Sequence, residues 1–436
     1  MNILVVGGGG REHAFCWALS KSRRVRRVYC APGNAGIADI AQVVDIAAAN
    51  TDELIAFAKN VGIDLTICTT EDPLANGIVD AFAEAGLWIF GPNAAAAHIE
   101  GSKAYAKDFM KRYKIPTAAY EIFDNMHAAM AYAASCRFPI VVKADGLAQG
   151  KGVLICHNLE VTERTLHQIL VDKKFGESGS KVVIEEYLEG AECSVLAFCD
   201  GDRIIPMPSA KDHKAAFDGD MGPNTGGMGA ICPNPYYNEE IAGECMEKIY
   251  LPTVKGLKED GREFVGILFF GLMLTNDGPK VIEYNCRPGD PETQAILPLL
   301  ETDILEIILA CMDKNLDNLE IKWKNSAVCC VMAVSGGYPG KYDMGHPIIG
   351  LDQALERGTM IFHSGTKQEN DRIVTAGGRV VALSAESESL DKAREKAYSA
   401  IRKLRFKGMR FRSDIGDLGA SNPAAKLSDR GNFEIS

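Results

Sequence analysis

The chain has 436 residues, 47% of them apolar and 24% charged, ordinary values for a globular protein of roughly two to four domains. Its 58 acidic residues outnumber its 47 basic ones, so the net charge of −11 leaves no basic excess to neutralise a nucleic-acid backbone. Thirteen cysteines without a C-x-x-C pair or a repeated spacing read as reduced thiols. The amino terminus has no basic n-region, and no apolar run approaches the roughly 20 residues of a membrane span. A soluble cytoplasmic chain is expected, with neither nucleic acid nor membrane as partner.

Residues 2–6 are an apolar run entering four glycines at 7–10, after which Ala14, Trp17, Ala18 and Leu19 recur at helical spacing: strand, glycine turn, helix. Strand-like runs at 25–30, 65–69 and 87–90 alternate with helical stretches at 51–60 and 74–85. That alternation predicts a doubly wound, mostly parallel α/β domain over 1–100. Residues 138–144, a glycine-rich loop at 145–152 and 153–156 read as a hairpin with a flexible tip; a helix at 160–172 and a strand at 181–186 follow. The segment 101–190 is therefore read as a helical linker and a small α+β lid. Runs at 192–199 and 203–207, then 266–275 turning at Asn276-Asp277-Gly278 into 280–285, predict a central sheet within 191–325. From 326 the pattern restarts with a strand at 327–335 and ends with a helix at 388–404 whose basic side chains read as a solvated face. Residues 326–436 are taken as a carboxy-terminal α+β domain ending in a tail.

The glycine turn offers free N–H groups at a positive helix end, with Arg11 beside it; the alternatives are a small phosphorylated ligand and a purely structural turn. A nicotinamide fingerprint fails, because Glu12 stands where the third glycine belongs and the second strand ends in Cys30-Ala31 rather than an acid. No P-loop and no nucleophile elbow occurs. Lys143, at a strand end before the glycine-rich tip, and Lys103, at a helix start, are cations suited to phosphates or to solvent. Glu185-Glu186-Tyr187-Leu188 leaves a strand with Glu192 beyond it, a crossover that can read an adenine edge but also describes any charged strand end. On 280–285, alternation puts Glu283 and Asn285 on one face, two hard oxygen donors of the kind Mg²⁺ takes, with Arg287 directly after them. Residues 209–229 are glycine-rich and charged and read as a substrate loop, within which His213 has no second ligand at metal spacing.

Six motifs carry a resemblance along essentially the whole chain: GGGGREHA at 7–14, GSKAYAKDFM at 101–110, KADGLAQGKGV at 143–153, EEYLEGAECS at 185–194, DHKAAFDGDMGPNTGGMGA at 212–230 and IEYNCRPGDPE at 282–292. They resemble the glycinamide ribonucleotide synthetases, the phosphoribosylamine–glycine ligase family of the ATP-grasp superfamily. The resemblance implies a multidomain ATP-grasp fold and an ATP-driven ligation of glycine to 5-phosphoribosylamine in de novo purine biosynthesis. The products would be glycinamide ribonucleotide, ADP and phosphate, by way of a glycyl phosphate. It implies Mg²⁺ (or Mn²⁺) at Glu283 and Asn285, with ATP at Lys103, Lys143, Gly150, Gly152, Glu185, Leu188 and Glu192. Glu185 and Leu188 would meet adenine through their backbone. Arg287, Asp212 and Lys214 become the catalytic residues, Arg287 stabilising the acyl phosphate. Gly9, Arg11, Asp218, Thr225, Gly226, Gly227, Gly289 and Asp290 would surround the substrates. The expected partners are these small molecules, and the expected state is a monomer or weak homodimer. Against the family pattern QDHKRAFDGDKGPNTGGMG, Lys211, Ala215 and Met221 replace Gln, Arg and Lys, and Thr70-Glu71-Asp72-Pro73 is an unusual P-E-x-P turn. The two lost cations bear on the phosphate subsite. A ligase for another amine and carboxylate is the nearest rival reading.

Overall fold

In the computed structural model, residues 1–147 and 152–418 are described; Gly150 and nearly all of the tail lie outside the described residues. Five parallel strands form the amino-terminal sheet in the spatial order Gln42–Val43, Arg27–Pro32, Asn2–Gly7, Leu65–Cys68, Ile89–Phe90. The middle strand is apolar throughout because both of its faces are covered. Ile3 and Val5 enter one core, Leu4 and Val6 the other. Strand order reverses between Asn2–Gly7 and Leu65–Cys68, so the crevice beyond their carboxyl ends is the natural ligand position of an open α/β sheet. The helix expected over 74–85 is two, Glu71–Ala75 and Ile78–Glu84, because Gly77 adopts a left-handed conformation (φ 83°) between them.

The lid is a four-stranded antiparallel sheet, Tyr120–Phe123, Val182–Glu186, Ile140–Ala144 and Val153–Cys156, with its own small core around Ile140, Val142, Val182 and Ile184. Facing it is the central sheet, Ile204–Pro206, Ala191–Asp200, Val265–Thr275 and Gly278–Asn285. Period-2 alternation along Ala191–Asp200 sends Leu196 and Phe198 into the first core and Cys193, Val195, Ala197 and Cys199 into the second. The predicted hairpin turns where expected, Thr275 pairing with Gly278.

The segment read as a loop at 209–229 differs from expectation. Lys211–Asp212 and Gly229–Cys232 are strands, and they pair into one sheet with Ala327–Val334, Arg379–Ser387 and Thr359–His363 of the carboxy-terminal part. Ala215–Phe217 and Met221–Asn224 make a small hairpin between them. Ala230, Ile231 and Cys232, all fully buried, make a short interior strand between Lys211–Asp212 and the long apolar Ala327–Val334. All thirteen cysteines are free thiols, all but Cys136 buried. Among the described residues no helix is long and apolar enough to cross a membrane.

Three histidines sit inside this framework. Burial, with His363 nearby, pushes His13 down to about 3, and burial pushes His213 and His363 down to about 4. An unfolded imidazole titrates near 6.5, so between that value and 4 the unfolded chain binds protons that the folded one refuses. Stability is therefore complete above pH 6.5 and falls as pH drops toward 4, by a few kcal/mol. Thermal melting from pH 7.5 to 4.5 should show the loss beginning near pH 6.5, well above the carboxylate range; a melting temperature flat down to pH 5 would contradict it.

Candidate active site

A cavity of about 330 Å³ opens between the lid, the central hairpin and the switch point of the amino-terminal sheet. Its floor is Gly278–Asn285. A bulge where Gly271 pairs with Glu283 and Leu272 with Val281 leaves Ile282 outside the ladder. The freed Ile282 carbonyl accepts from Lys143 Nζ at 3.1 Å, and beyond the bulge Glu283 and Asn285 both face the cavity, as their spacing predicts. Burial raises the Glu283 carboxyl, but Lys214, Lys143 and Lys103 outweigh it and hold the group at about 2. Lys214 Nζ lies 3.4 Å from Glu283 and 4.0 Å from Asp212. One ionised carboxylate and one amide oxygen fit a divalent cation of the Mg²⁺ kind that takes its remaining ligands from phosphate and water.

The lid contributes cations. Lys103 and Lys107, one turn apart on Lys103–Arg112, and Lys143 line one wall. Glu185 is buried between Lys143 Nζ at 2.9 Å and Lys107 Nζ at 3.0 Å, with its other oxygen unpartnered. Burial lowers Lys107 to about 8 even though Glu185 raises it. The backbone of Glu185 is not a free edge: it stands in register between Tyr120 and Val141, and what it turns to the cavity is its carboxylate. The start of Lys103–Arg112 is held by Asp145, whose carboxylate accepts from the Ala104 N–H at 2.7 Å and the Ser102 hydroxyl at 2.9 Å. Lys103 Nζ reaches the Gly146 carbonyl at 2.9 Å, so this lysine and the base of the glycine-rich tip form one unit.

Arg287 anchors the third wall. It meets Glu71 at 3.1 Å and Glu100 at 3.2 Å, and it donates to Asn285 Oδ1 at 3.3 Å. Arg11 donates to Glu12 at 2.7 Å and to the Pro288 carbonyl at 3.0 Å, and Glu71 lies between the two arginines. Burial raises the Glu71 carboxyl, yet Arg287 and Arg11 together bring it to about 2. Two N–H groups of the glycine turn have partners within the chain. The Gly9 N–H is taken by Glu12 Oε2 at 2.6 Å, and the Arg11 N–H points to Asp290 Oδ2 at 3.4 Å, so the chain's own carboxylates cap this helix.

Of the other expected site residues, Gly152, Asp212, Thr225, Gly226, Gly289 and Asp290 line the cavity. Gly227 abuts it: a Cβ there would stand 2.7 Å from Asp212 Oδ1. Leu188, Glu192 and Asp218 are not among the residues lining this cavity, although Glu192 is near enough to act on Asp212 and Lys214. Leu188 is in the half-buried link after the lid strand, and Glu192 is an exposed position of its strand. Asp218, at the tip of the small hairpin, accepts from the Ser413 N–H at 2.8 Å. The three departures near 211–221 also lie off the cavity: Lys211 stands 5.2 Å over the Tyr236 ring, while Ala215 and Met221 belong to that hairpin. Several lining residues escaped the sequence-based list, Lys107, Glu100, Glu292 and Arg379 among them. Lys107 shares a helix face with Lys103, a signal that was available; Glu100 directly precedes one recognised motif and Glu292 ends another; Arg379, at 3.2 Å from Asp290, has no local signature at all.

Two antiparallel sheets gripping a lysine-lined cavity from opposite sides are the ATP-grasp arrangement, and the class of protein is an ATP-grasp ligase. The sequence matches the family described as phosphoribosylglycinamide synthetase in three segments: its N domain over 1–100, its ATP-grasp (A) domain over 101–293 and its C domain over 328–418. The chain belongs to that family. It is 49% identical over 416 residues to the phosphoribosylamine–glycine ligase of Clostridium acetobutylicum, covering 95% of this chain and 99% of the relative. The Vibrio vulnificus enzyme of the same name is 48% identical over 419 residues, covering 95% and 98%. The crystal structure of phosphoribosylamine–glycine ligase from Thermotoga maritima superposes with a TM-score of 0.84 at 31% identity, over 95% of this chain and all 100% of that one. Biotin carboxylase from Campylobacter jejuni, at 16% identity and a TM-score of 0.75 over 97% of this chain and 95% of its own, shares the fold.

Proposed function

We infer that this chain joins glycine to 5-phosphoribosylamine with ATP, giving glycinamide ribonucleotide, ADP and phosphate, in purine biosynthesis. One observation carries the reading beyond family membership: a single cavity gathers Lys103, Lys143, Asp212, Lys214, Glu283 and Arg287 from four motifs far apart in sequence. In this reading a glycine carboxylate oxygen attacks the γ-phosphorus as the bond to the β–γ bridging oxygen breaks, leaving ADP and glycyl phosphate. The amine of phosphoribosylamine then attacks the acyl carbon, phosphate departs, and the amine gives up its proton. Such chemistry asks for positioning and positive charge rather than a protein nucleophile. Lys103, Lys107 and Lys143 hold phosphate oxygens, and Arg287 neutralises charge on the transferred phosphoryl group. Glu283 and Asn285 hold Mg²⁺ or Mn²⁺, which supplies further charge neutralisation to the phosphates. Arg11, Asp290, Thr225 and Gly226 border the phosphoribosylamine side. The division into 1–100, 101–190, 191–325 and 326–436, a cytoplasmic location and a monomer or weak homodimer belong to the same reading.

The test is to incubate purified protein with ATP, Mg²⁺, glycine and freshly generated phosphoribosylamine, omitting each in turn, and to follow ADP together with product mass. Product and ADP that require every component are the expected result. ATP use that needs another amino acid in place of glycine would overturn the substrate assignment.

A further inference from the structure

The hairpin of Ala215–Phe217 and Met221–Asn224 lies off the cavity, yet both of its roots stand in it. Lys214 precedes the first strand, Thr225 follows the second, and both line the cavity. The roots are tied together, since the Thr225 N–H and the Thr225 hydroxyl both donate to the Lys214 carbonyl at 2.8 Å. Thr225 Oγ1 in turn accepts from the Gly227 N–H at 3.0 Å. How the hairpin sits therefore decides where Lys214 and Thr225 stand.

Little apolar burial fixes its outer half. Phe217 is 45% exposed, Gly222, Pro223 and Asn224 are exposed, and the turn runs through left-handed Gly219 and Asp220 (φ 69° and 56°). A two-stranded ribbon this short is not stable in isolation. What holds it is polar and comes from far along the chain. Arg412, buried, donates to the Ala215 carbonyl at 3.0 Å and meets Asp220 at 2.9 Å and Asp414 at 2.7 Å. Asp414 also accepts from the Gly219 N–H at 2.8 Å, and Asp218 accepts from both the N–H and the hydroxyl of Ser413. At the root, the Gly416 N–H donates to His213 Nε2 at 3.4 Å. Arg410 lies 4.6 Å from the Phe217 ring and donates to the Tyr338 carbonyl at 2.8 Å, while the Tyr338 hydroxyl accepts from the Gly226 N–H at 3.1 Å.

The segment 410–416 is itself anchored. Arg410 and Val334 exchange backbone hydrogen bonds at 2.7 and 3.0 Å. The Tyr398 hydroxyl, on the helix Leu390–Ile401, donates to the Arg412 carbonyl at 2.7 Å and accepts from the Ile415 N–H at 2.9 Å. Charge-assisted bonds from a rigid guanidinium fork set orientation as well as distance, and burial strengthens them.

We propose that 410–416 latches the hairpin, with Arg412 and Asp414 as positioning residues that act through 215–220 to hold Lys214 and Thr225 in place for the substrates. The inference rests on the ligation reading and gives 218–220, which the cavity leaves aside, a part in it.

Arg412→Lys keeps a cation but cannot span Ala215, Asp220 and Asp414 at once. In the folded variant, kcat for glycine-dependent ADP release should fall roughly ten- to a hundredfold, the cost of about an ångström of displacement of a positioned group. The KM for ATP should stay within about threefold. Hydrogen exchange should quicken over 215–226 and stay unchanged in the lid sheet. Asp218→Ala, at the exposed end of the latch, is the milder variant, with a loss in kcat of roughly three- to tenfold. Asp218→Asn still offers an oxygen to the Ser413 N–H and should recover most of it. Because both changes loosen one hairpin, the double variant Asp218→Ala with Arg412→Lys should lose less than the product of the two single losses. A segment that only supports the fold would lower the melting temperature and leave kcat of the folded protein at the wild-type value; that result overturns the latch, as do losses that simply multiply. Asp218→Asn as damaged as Asp218→Ala would mean that the charge itself meets substrate, and overturns it too. If Arg412→Lys does not fold, the Asp218 pair decides. Wild-type protein with no glycine-dependent ADP release brings down the ligation reading and the latch with it; an active wild type matched by its folded variants brings down the latch alone.

Discussion

Glu283→Ala is expected to lower turnover by roughly three orders of magnitude or more, several kcal/mol of lost charge stabilisation, while the protein stays folded. The expectation follows from where Glu283 sits. Its side chain is 32% exposed, at the end of a strand already paired along its length, and its one ion pair is to Lys214 at 3.4 Å. Removing it opens no core cavity. Lys214 keeps Asp212 and neighbouring carboxylates, so the structural cost is about 1 kcal/mol or less. Chemistry suffers instead, because Asn285 alone is a weak holder for a divalent cation. Turnover at saturating Mg²⁺ and the melting temperature, measured together, check this. A second readout is ligand stabilisation: MgADP should raise the melting temperature of the wild type and lose most of that effect in the variant. Wild-type turnover in a folded Glu283→Ala protein would refute the metal assignment.

Arg287→Ala should damage both chemistry and fold. The guanidinium is held by Glu71, Glu100, Asn285 and the Pro288 carbonyl. Without it Glu71 is left with Arg11 at 3.6 Å, and the buried Glu100 keeps the Cys286 N–H at 2.7 Å as its support. Breaking a largely buried ion network from one side leaves charges uncompensated, and a loss of about 3 kcal/mol is expected at pH 7. The loss has a defined pH dependence. Glu71 is held at about 2 against an ordinary 4.5, so its pairing stabilises fully above pH 4.5 and fades as pH falls toward 2. Burial raises the Glu100 carboxyl above its ordinary value although Arg287 lowers it, so this group protonates earlier still as pH falls. The stability gap between wild type and Arg287→Ala, measured by denaturant unfolding, should therefore be widest near pH 7 and narrow below pH 4.5. A gap of equal size at both ends would mean that lost packing, not charge, is responsible. Arg287→Lys should recover part of the stability without recovering turnover, since an ammonium cannot span Glu71, Glu100 and Asn285 at once.

The same network explains why some site residues were legible and others were not. Glu283 and Asn285 are two apart on a strand, and strand geometry alone puts them on one face. Lys103 and Lys107 are four apart on a helix, an equally local relation. Arg287 with Glu71 and Glu100, or Asp290 with Arg379, are pairs separated by most of a domain or more. No spacing rule reaches them. The glycine turn shows the same limit: its local geometry advertises N–H donors, while Glu12 in the first turn of the helix and Asp290, 279 residues from Arg11, accept from two of them.

By itself the sequence determined the periodicities that make the amino-terminal strands and helices, the hairpin turning at Asn276-Asp277-Gly278, the facing of Glu283 and Asn285, and, through its six motifs, the family. These are properties of neighbours along the chain, set by backbone geometry and side-chain shape over a few residues. Tertiary structure alone decided that Lys211–Asp212 and Gly229–Cys232 complete the carboxy-terminal sheet, that the altered positions 211, 215 and 221 are not among the residues lining the cavity, and that Arg379 joins Asp290 at its wall. Those outcomes depend on which strand edges pair and which faces share a core, and that choice is made by burial summed over the whole molecule.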